Sequence, residues 1–197
     1  MTGSIIIKPS VRKRFDRFMA HGRILFFSAP CGFGKTALAD ALLRGREVLR
    51  LNAGAPDCAI PPAASDWDIL LIDDLQLMQD EAGQQALCEM IRSSPERRFL
   101  LLSRGAPPGC LTAFQYTGLM ALLTADDLLF DRDDIRRFFN ACEVAASDSE
   151  IGAILKESVG YPLGAVVVAQ CMSGGKPFSA EIAAQAHRQV FVYFQEH

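Results

Sequence analysis

Short apolar runs separated by stretches of helical spacing dominate the first 124 positions. Ile24-Leu25-Phe26-Phe27, Ile69-Leu70-Leu71-Ile72 and Phe99-Leu100-Leu101-Leu102 show no polar alternation. Each therefore predicts a strand buried on both faces, and residues 48–52 predict a further one. Between the strands, Lys35 to about Arg44 and Gln84 to Arg92 carry helical periodicity. Ahead of them, the segment from Ser10 to Ala20 puts Val11, Phe15, Phe18 and Met19 on one helix face, and His21-Gly22 supplies a stop. The stretch from Ala53 to Ser65, with three prolines, reads as a loop. Strands this short alternating with helices predict an α/β fold, a parallel sheet with flanking helices.

The period changes after residue 124. Ile135, Phe138 and Phe139, then Ile151, Ile154 and Leu155, recur at helical spacing; Pro162 interrupts, and Ala180 to Phe194 predicts a final helix. The expected division is therefore an α/β domain over 1–124 and a small all-helical domain over 125–197. The last helix has no cap, Gly or Pro to close it, so the chain reads as cut off at its C-terminal end.

Composition narrows the classes. The 197 residues are 50% hydrophobic and 22% charged, which excludes a disordered, collagen-like or coiled-coil chain. With 20 basic against 23 acidic side chains the net charge is -3, which argues against a chain built mainly to grip nucleic acid and leaves a local basic patch open. The apolar runs are too short to span a bilayer, so no membrane partner is expected. Lys8 and Pro9 end Ile5-Ile6-Ile7 before a signal peptide forms. The six cysteines, at 31, 58, 88, 110, 142 and 171, have no metal-knuckle or dithiol spacing. They read as reduced thiols of a cytoplasmic protein. His21, His187 and His197 have no metal partners at useful spacing.

The densest chemistry lies at Ser28-Ala29-Pro30-Cys31-Gly32-Phe33-Gly34-Lys35-Thr36-Ala37. It fits the phosphate-binding pattern G-x-x-x-x-G-K-[ST] except at the first position, where Ala29 replaces Gly. A tight loop opening a helix turns successive backbone N–H groups toward phosphate oxygens, and the helix dipole adds to their pull. Gly32 and Gly34 permit the backbone angles and the close approach. Lys35 would reach the β- and γ-phosphates, and Thr36 would offer its hydroxyl to Mg²⁺. A strand before the loop and a helix after it give the context the motif needs. Cys31, near a helix N-terminus and a lysine, is either an oxidisable thiol of lowered pKa or simply a small residue tolerated there.

Two further strand ends carry charge. Ile69–Ile72 runs into Asp73-Asp74: beside a phosphate loop, Asp73 would hold Mg²⁺ and Asp74 would orient or deprotonate an attacking water, though an apolar run ending in an Asp-rich turn is common on its own. Phe99–Leu102 runs into Ser103-Arg104, where Arg104 either senses a γ-phosphate or is a surface residue opening the next loop. Gly160-Tyr161-Pro162-Leu163 reads by itself as a turn with an aromatic residue.

These segments together resemble the LuxR-family transcriptional regulators of the maltose-regulon activator type, which belong to the signal-transduction ATPases with numerous domains (the STAND class). SAPCGFGKTAL at 28–38 is similar to that family's loop, in which the first Gly is also usually absent. ILLIDDLQLM at 69–78 resembles its acidic strand, with Gln76 where His is common. LLLSRGAPP at 100–108 and LTADDLLFDRDDIRRFF at 123–139 are similar to its later segments. Gly160-Tyr161-Pro162 resembles its Gly-Trp-Pro, and that likeness implies that Pro162 lies against an adenine base.

The resemblance implies a P-loop NTPase domain that binds ATP or ADP with Mg²⁺ and hydrolyses slowly, as a switch. ATP would permit self-association, and DNA would be contacted only through a C-terminal region not in this chain. Ala29 to Ala37 and Pro162 would bind the nucleotide, Thr36 and Asp73 the Mg²⁺, and Lys35, Asp74 and Arg104 would act in catalysis. Two rival readings stay open: a stand-alone AAA+-like ATPase or kinase, and a nucleotide-binding module without turnover.

Overall fold

The computed structural model describes residues 5–56, 58–61 and 67–196. In chain order its elements are α1 (Pro9–His21), β1 (Ile24–Ser28), α2 (Lys35–Leu42), β2 (Val48–Asn52), β3 (Ile69–Asp73), α3 (Glu81–Ser93) and β4 (Arg98–Ser103). There follow α4 (Thr112–Tyr116), β5 (Met120–Thr124), α5 (Ala125–Leu128), α6 (Arg132–Ala141), α7 (Asp148–Ser158), α8 (Pro162–Met172) and α9 (Ala180–Glu196). Of the loop expected from Ala53 to Ser65, position 57 and positions 62–65 lie outside the described residues.

Five strands form one sheet in the order β2-β3-β4-β1-β5, and every neighbouring pair is parallel. Ile24 of β1 sits opposite Phe99 of β4 on one side and Met120 of β5 on the other. The apolar runs fall where the sheet is covered on both faces. Ile24, Leu25, Phe26 and Phe27 are buried, as are Ile69–Ile72 and Phe99–Leu102. At about 1.5–3 kcal/mol per large side chain removed from water, these central strands supply much of the unit's cohesion. One face packs Phe26, Leu70, Ile72, Phe99 and Leu101 with Leu87 and Ile91 of α3. The helix α1 buries Val11, Phe15 and Phe18.

The helices α4, α5 and α8 are not delimited by the sequence-based expectation, and two further elements depart from it. A fifth strand, β5, is built from Met, Ala and Leu, which favour helix as readily as strand; its register against β1 decides it. The helix expected from Gln84 begins at Glu81, because Asp80 caps it by accepting from the N–H of Gly83 at 2.6 Å.

The chain divides into two compact units. One holds the sheet: Pro9–Pro30 and Lys35–Asp127. The other is helical and comprises the segment ending at Lys8, the loop tip Cys31–Gly34, and the chain from Leu128 onward. Its core joins Ile135 and Phe139 of α6, Ile151 and Ile154 of α7, Ala165 and Val168 of α8, and Ile182 of α9. Capping boxes start α6 (Asp131 with Asp134) and α7 (Ser147 with Glu150). Asp134, almost fully buried, also pairs with Arg137 and with Lys8, so its charge is compensated inside the unit.

Between α7 and α8 the backbone turns through Val159 and Gly160, both with positive φ. A Cβ on Gly160 would stand 2.4 Å from the carbonyl oxygen of Phe130, whose N–H in turn donates to Gly160 at 2.7 Å. The left-handed angle and the backbone contact both exclude a side chain. Gly160→Ala is expected to destabilise the helical unit by about 2–3 kcal/mol, read as earlier thermal unfolding and faster amide exchange in α7 and α8.

Candidate functional site

The sheet order β3-β4-β1 sets three carboxyl-terminal strand ends side by side, the edge where parallel α/β sheets take ligands. β1 delivers the loop that ends at Lys35 and Thr36, β3 delivers Asp73 and Asp74, and β4 delivers Ser103 and Arg104. The chain leaves β1 with the Ala29 N–H still bonded to the Ser103 carbonyl at 3.2 Å. Gly32 (φ 79°) and Gly34 (φ 70°) have left-handed backbone, while Phe33 between them does not. Alternating hands of this kind are what an anion-binding nest of successive N–H groups requires.

Lys35 opens α2, and its ammonium donates to the carbonyls of Ala29 at 2.7 Å and Pro30 at 3.0 Å. The cation is thus held over the base of its own loop. Thr36 Oγ1 donates to Asp73 Oδ2 at 2.6 Å, and the other Asp73 oxygen accepts the N–H of Asp74 at 2.8 Å. Ala37 follows within the first turn of α2, half-buried.

Asp74 has left-handed backbone (φ 52°), uncommon for a residue with a Cβ but tolerated by Asp. Among the described residues its carboxylate meets three groups. Gln76 Nε2 donates to Oδ1 at 2.8 Å, Asn52 Nδ2 reaches Oδ2 at 3.4 Å, and Arg104 Nε stands 3.6 Å from Oδ1. Gln76 also accepts the N–H of Arg104 through Oε1 at 2.9 Å. The sheet unit therefore gathers Lys35, Thr36, Asp73, Asp74 and Arg104, residues drawn from three separate stretches of chain. Sequence reasoning missed Asn52 and Gln76. Asn52 had no motif to mark it, and Gln76 showed itself only as a departure from His.

The helical unit holds the tip of the loop. Tyr161 donates its hydroxyl to the Cys31 carbonyl at 2.8 Å, and its ring lies 5.2 Å from that of Phe33. Glycine suits position 32 for its φ, and a Cβ there would also have to displace the Tyr161 hydroxyl. Burial pushes the Tyr161 phenol well above its ordinary pKa, with Cys31 and Tyr193 adding to the effect, so it stays a donor. The Cys31 thiol stands 3.5 Å from the Tyr193 hydroxyl. Pro162 is buried as the first residue of α8, where its missing N–H costs nothing. Tyr161 is thus a further residue that sequence reasoning passed over, since it read the aromatic only as part of a turn.

Among the described residues no cluster of three or more His, Cys, Asp or Glu is arranged to hold a metal alone. A Mg²⁺ carried by phosphates needs only one or two protein oxygens, and the paired Thr36 hydroxyl and Asp73 carboxylate fit that requirement. No helix of the described residues is long and apolar enough to cross a membrane.

No protein-family profile and no curated protein matches this chain. Solved structures do. A Walker-type ATPase of Pyrococcus abyssi aligns with a TM-score of 0.63 at 12% identity, over 94% of this chain and 71% of that one. A STAND protein with a tetratricopeptide repeat sensor from Pyrococcus horikoshii aligns at 0.59 and 10% identity, over 94% of this chain and 33% of its own length. The ORC1 protein of Aeropyrum pernix, solved in complex with DNA, aligns at 0.56 and 13% identity, over 92% of this chain and 63% of its own. At these identities the likeness speaks for architecture, and the chain has the fold of the P-loop ATPases.

Proposed function

We propose that this chain binds ATP and ADP with Mg²⁺ at the β1–α2 loop and hydrolyses ATP slowly, as the switch domain of a LuxR-type STAND regulator. The observation that carries the nucleotide reading is the pairing of Thr36 with Asp73 at 2.6 Å, directly after Lys35 at the start of α2 in a Gly-Lys-Thr motif. A hydroxyl and a carboxylate at that spacing, next to a cation on a helix N-terminus, suit a phosphate-bound divalent ion.

The roles follow from the groups present. The N–H groups of Gly32 to Thr36 cradle phosphate oxygens, and Lys35 moves its charge from loop carbonyls to the β- and γ-phosphates. Thr36 and Asp73 hold Mg²⁺, which when bound neutralises charge on the phosphates. Asp74 accepts a hydrogen bond from the attacking water and aligns it, and Arg104 opposes charge that develops on the transferred group. Pro162 is assigned to the adenine by the family resemblance. By the same resemblance, ATP favours self-association of the intact regulator, with output through a separate DNA-binding region; such coupling requires unequal affinity of nucleotide for two states.

The test is direct. Purified chain is denatured and its nucleotide identified by mass spectrometry, and phosphate release is followed with added ATP and Mg²⁺. Bound adenine nucleotide with slow, Mg²⁺-dependent release is expected. Absence of any nucleotide binding overturns the proposal, and binding without turnover reduces it to a nucleotide-binding module.

A further inference from the structure

The acidic strand end and the arginine strand end are joined by one side chain. Gln76 lies half-buried in the tight turn Leu75–Leu77, directly after the acidic pair. Both ends of its amide are used. Nε2 donates to Asp74 Oδ1 at 2.8 Å, and Oε1 accepts the backbone N–H of Arg104 at 2.9 Å. A carboxylate only accepts and a peptide N–H only donates, so the two partners fix which end of the amide faces which. A Glu of the same length presents two acceptors and a Lys only donors; neither serves both partners.

We propose that Gln76 is a positioning residue of the hydrolytic site, holding the Asp74 carboxylate in register with the tip of β4 that carries Arg104. The inference rests on the reading of Asp74 as the group that aligns the attacking water. With Oδ1 engaged by Gln76 and approached by Arg104 Nε at 3.6 Å, Oδ2 has, among the described residues, only the long 3.4 Å bond from Asn52. Oδ2 is therefore the oxygen with acceptor capacity left for a water, and Gln76 decides which way it faces. The same amide fixes the Arg104 main chain, so the acid and the cation are set relative to one another by a single residue rather than by their own weak, partly exposed ion pair.

Two substitutions separate this role from a structural one. Gln76→Leu removes both bonds. Gln76→Glu keeps the length and the acceptor toward the Arg104 N–H, and replaces the donor to Asp74 with a second carboxylate. In the full chain, with ATP and Mg²⁺, both variants are expected to lower kcat about 10–100-fold, the usual size for loss of a residue that orients a reacting group. In Gln76→Leu, ATP affinity by calorimetry and the thermal midpoint should stay at wild-type values; in Gln76→Glu, which sets a second negative charge beside Asp74, both should fall by far less than the rate. Wild-type turnover in Gln76→Glu overturns the proposal, because the tie to β4 alone then suffices. Parallel losses of affinity, stability and rate overturn it too, because the role is then structural. Asp74→Asn is measured alongside. If it is inactive while the Gln76 variants turn over normally, only the Gln76 role fails; if all three turn over normally, the reading of Asp74 itself fails.

Discussion

Lys35→Ala is expected to weaken ATP binding by about 10²–10⁴-fold while leaving the chain folded. The size follows from what the ammonium would give up. Hydrogen bonds between a charged donor and phosphate oxygens contribute about 1.5–3 kcal/mol each, and a lysine between the β- and γ-phosphates makes about two. Each 1.4 kcal/mol is about a factor of ten in affinity. ADP, lacking the γ-phosphate, should lose less than ATP, and that difference separates a phosphate contact from general damage to the loop. The fold should tolerate the change. The ammonium donates to carbonyls at the start of its own loop, Ala29 and Pro30, rather than to the apolar core of the sheet, and Pro30 is exposed to water that can replace it. Alanine is also a better helix former than lysine at the start of α2. Calorimetric titration with ATP and ADP, beside a thermal melt, reads both halves of the expectation. Unchanged ATP affinity would remove the phosphate-loop assignment.

The part of the candidate site that could be proposed from the chain alone is the part whose residues are local. Phosphate-loop chemistry needs Gly, Lys and Thr at fixed offsets on one strand–turn–helix, and Gly32, Gly34, Lys35 and Thr36 supply them within five positions. β1, β3 and β4 were legible for a related reason: strands covered on both faces must be apolar throughout, and Ile24–Phe27, Ile69–Ile72 and Phe99–Leu102 are. β5 was not legible, because Met, Ala and Leu are indifferent between helix and strand until β1 pairs with them. The groups around Asp74 were hidden for a different reason. Asn52 precedes it by 22 positions and Arg104 follows Gln76 by 28, and only the sheet order closes those separations. Tyr161 is the extreme case, its hydroxyl reaching the carbonyl of Cys31 across 130 positions of chain. The Gly-Tyr-Pro sequence nonetheless had a local meaning that the structure makes plain. Gly160 takes the left-handed turn against Phe130, and Pro162 opens α8.

Asp74→Asn should retain nucleotide and lose turnover, with kcat down by about 10²–10⁴-fold, the range for removing a group that aligns or accepts a proton from the nucleophile. The substitution is close to isosteric, and Asn adopts left-handed backbone at least as readily as Asp, so φ 52° is no obstacle. The side chain is about 29% exposed and its ion pair with Arg104 is long, at 3.6 Å, so losing that pair costs at most about 1 kcal/mol of stability. The amide oxygen can still accept from Gln76, but its NH₂ then faces the Asn52 amide, donor against donor, and no oxygen remains to accept from a water on that side. Binding should be unchanged or tighter. A negative charge near the triphosphate has gone, while Lys35, Thr36 and Asp73 are untouched. The combination of preserved affinity with lost rate is the signature of an interaction made in the transition state rather than in the ground state. Single-turnover phosphate release beside equilibrium ATP binding measures the two separately. Undiminished release in Asp74→Asn would take Asp74 out of the hydrolytic role and leave Asp73, with Thr36, as the acid that matters at this strand end.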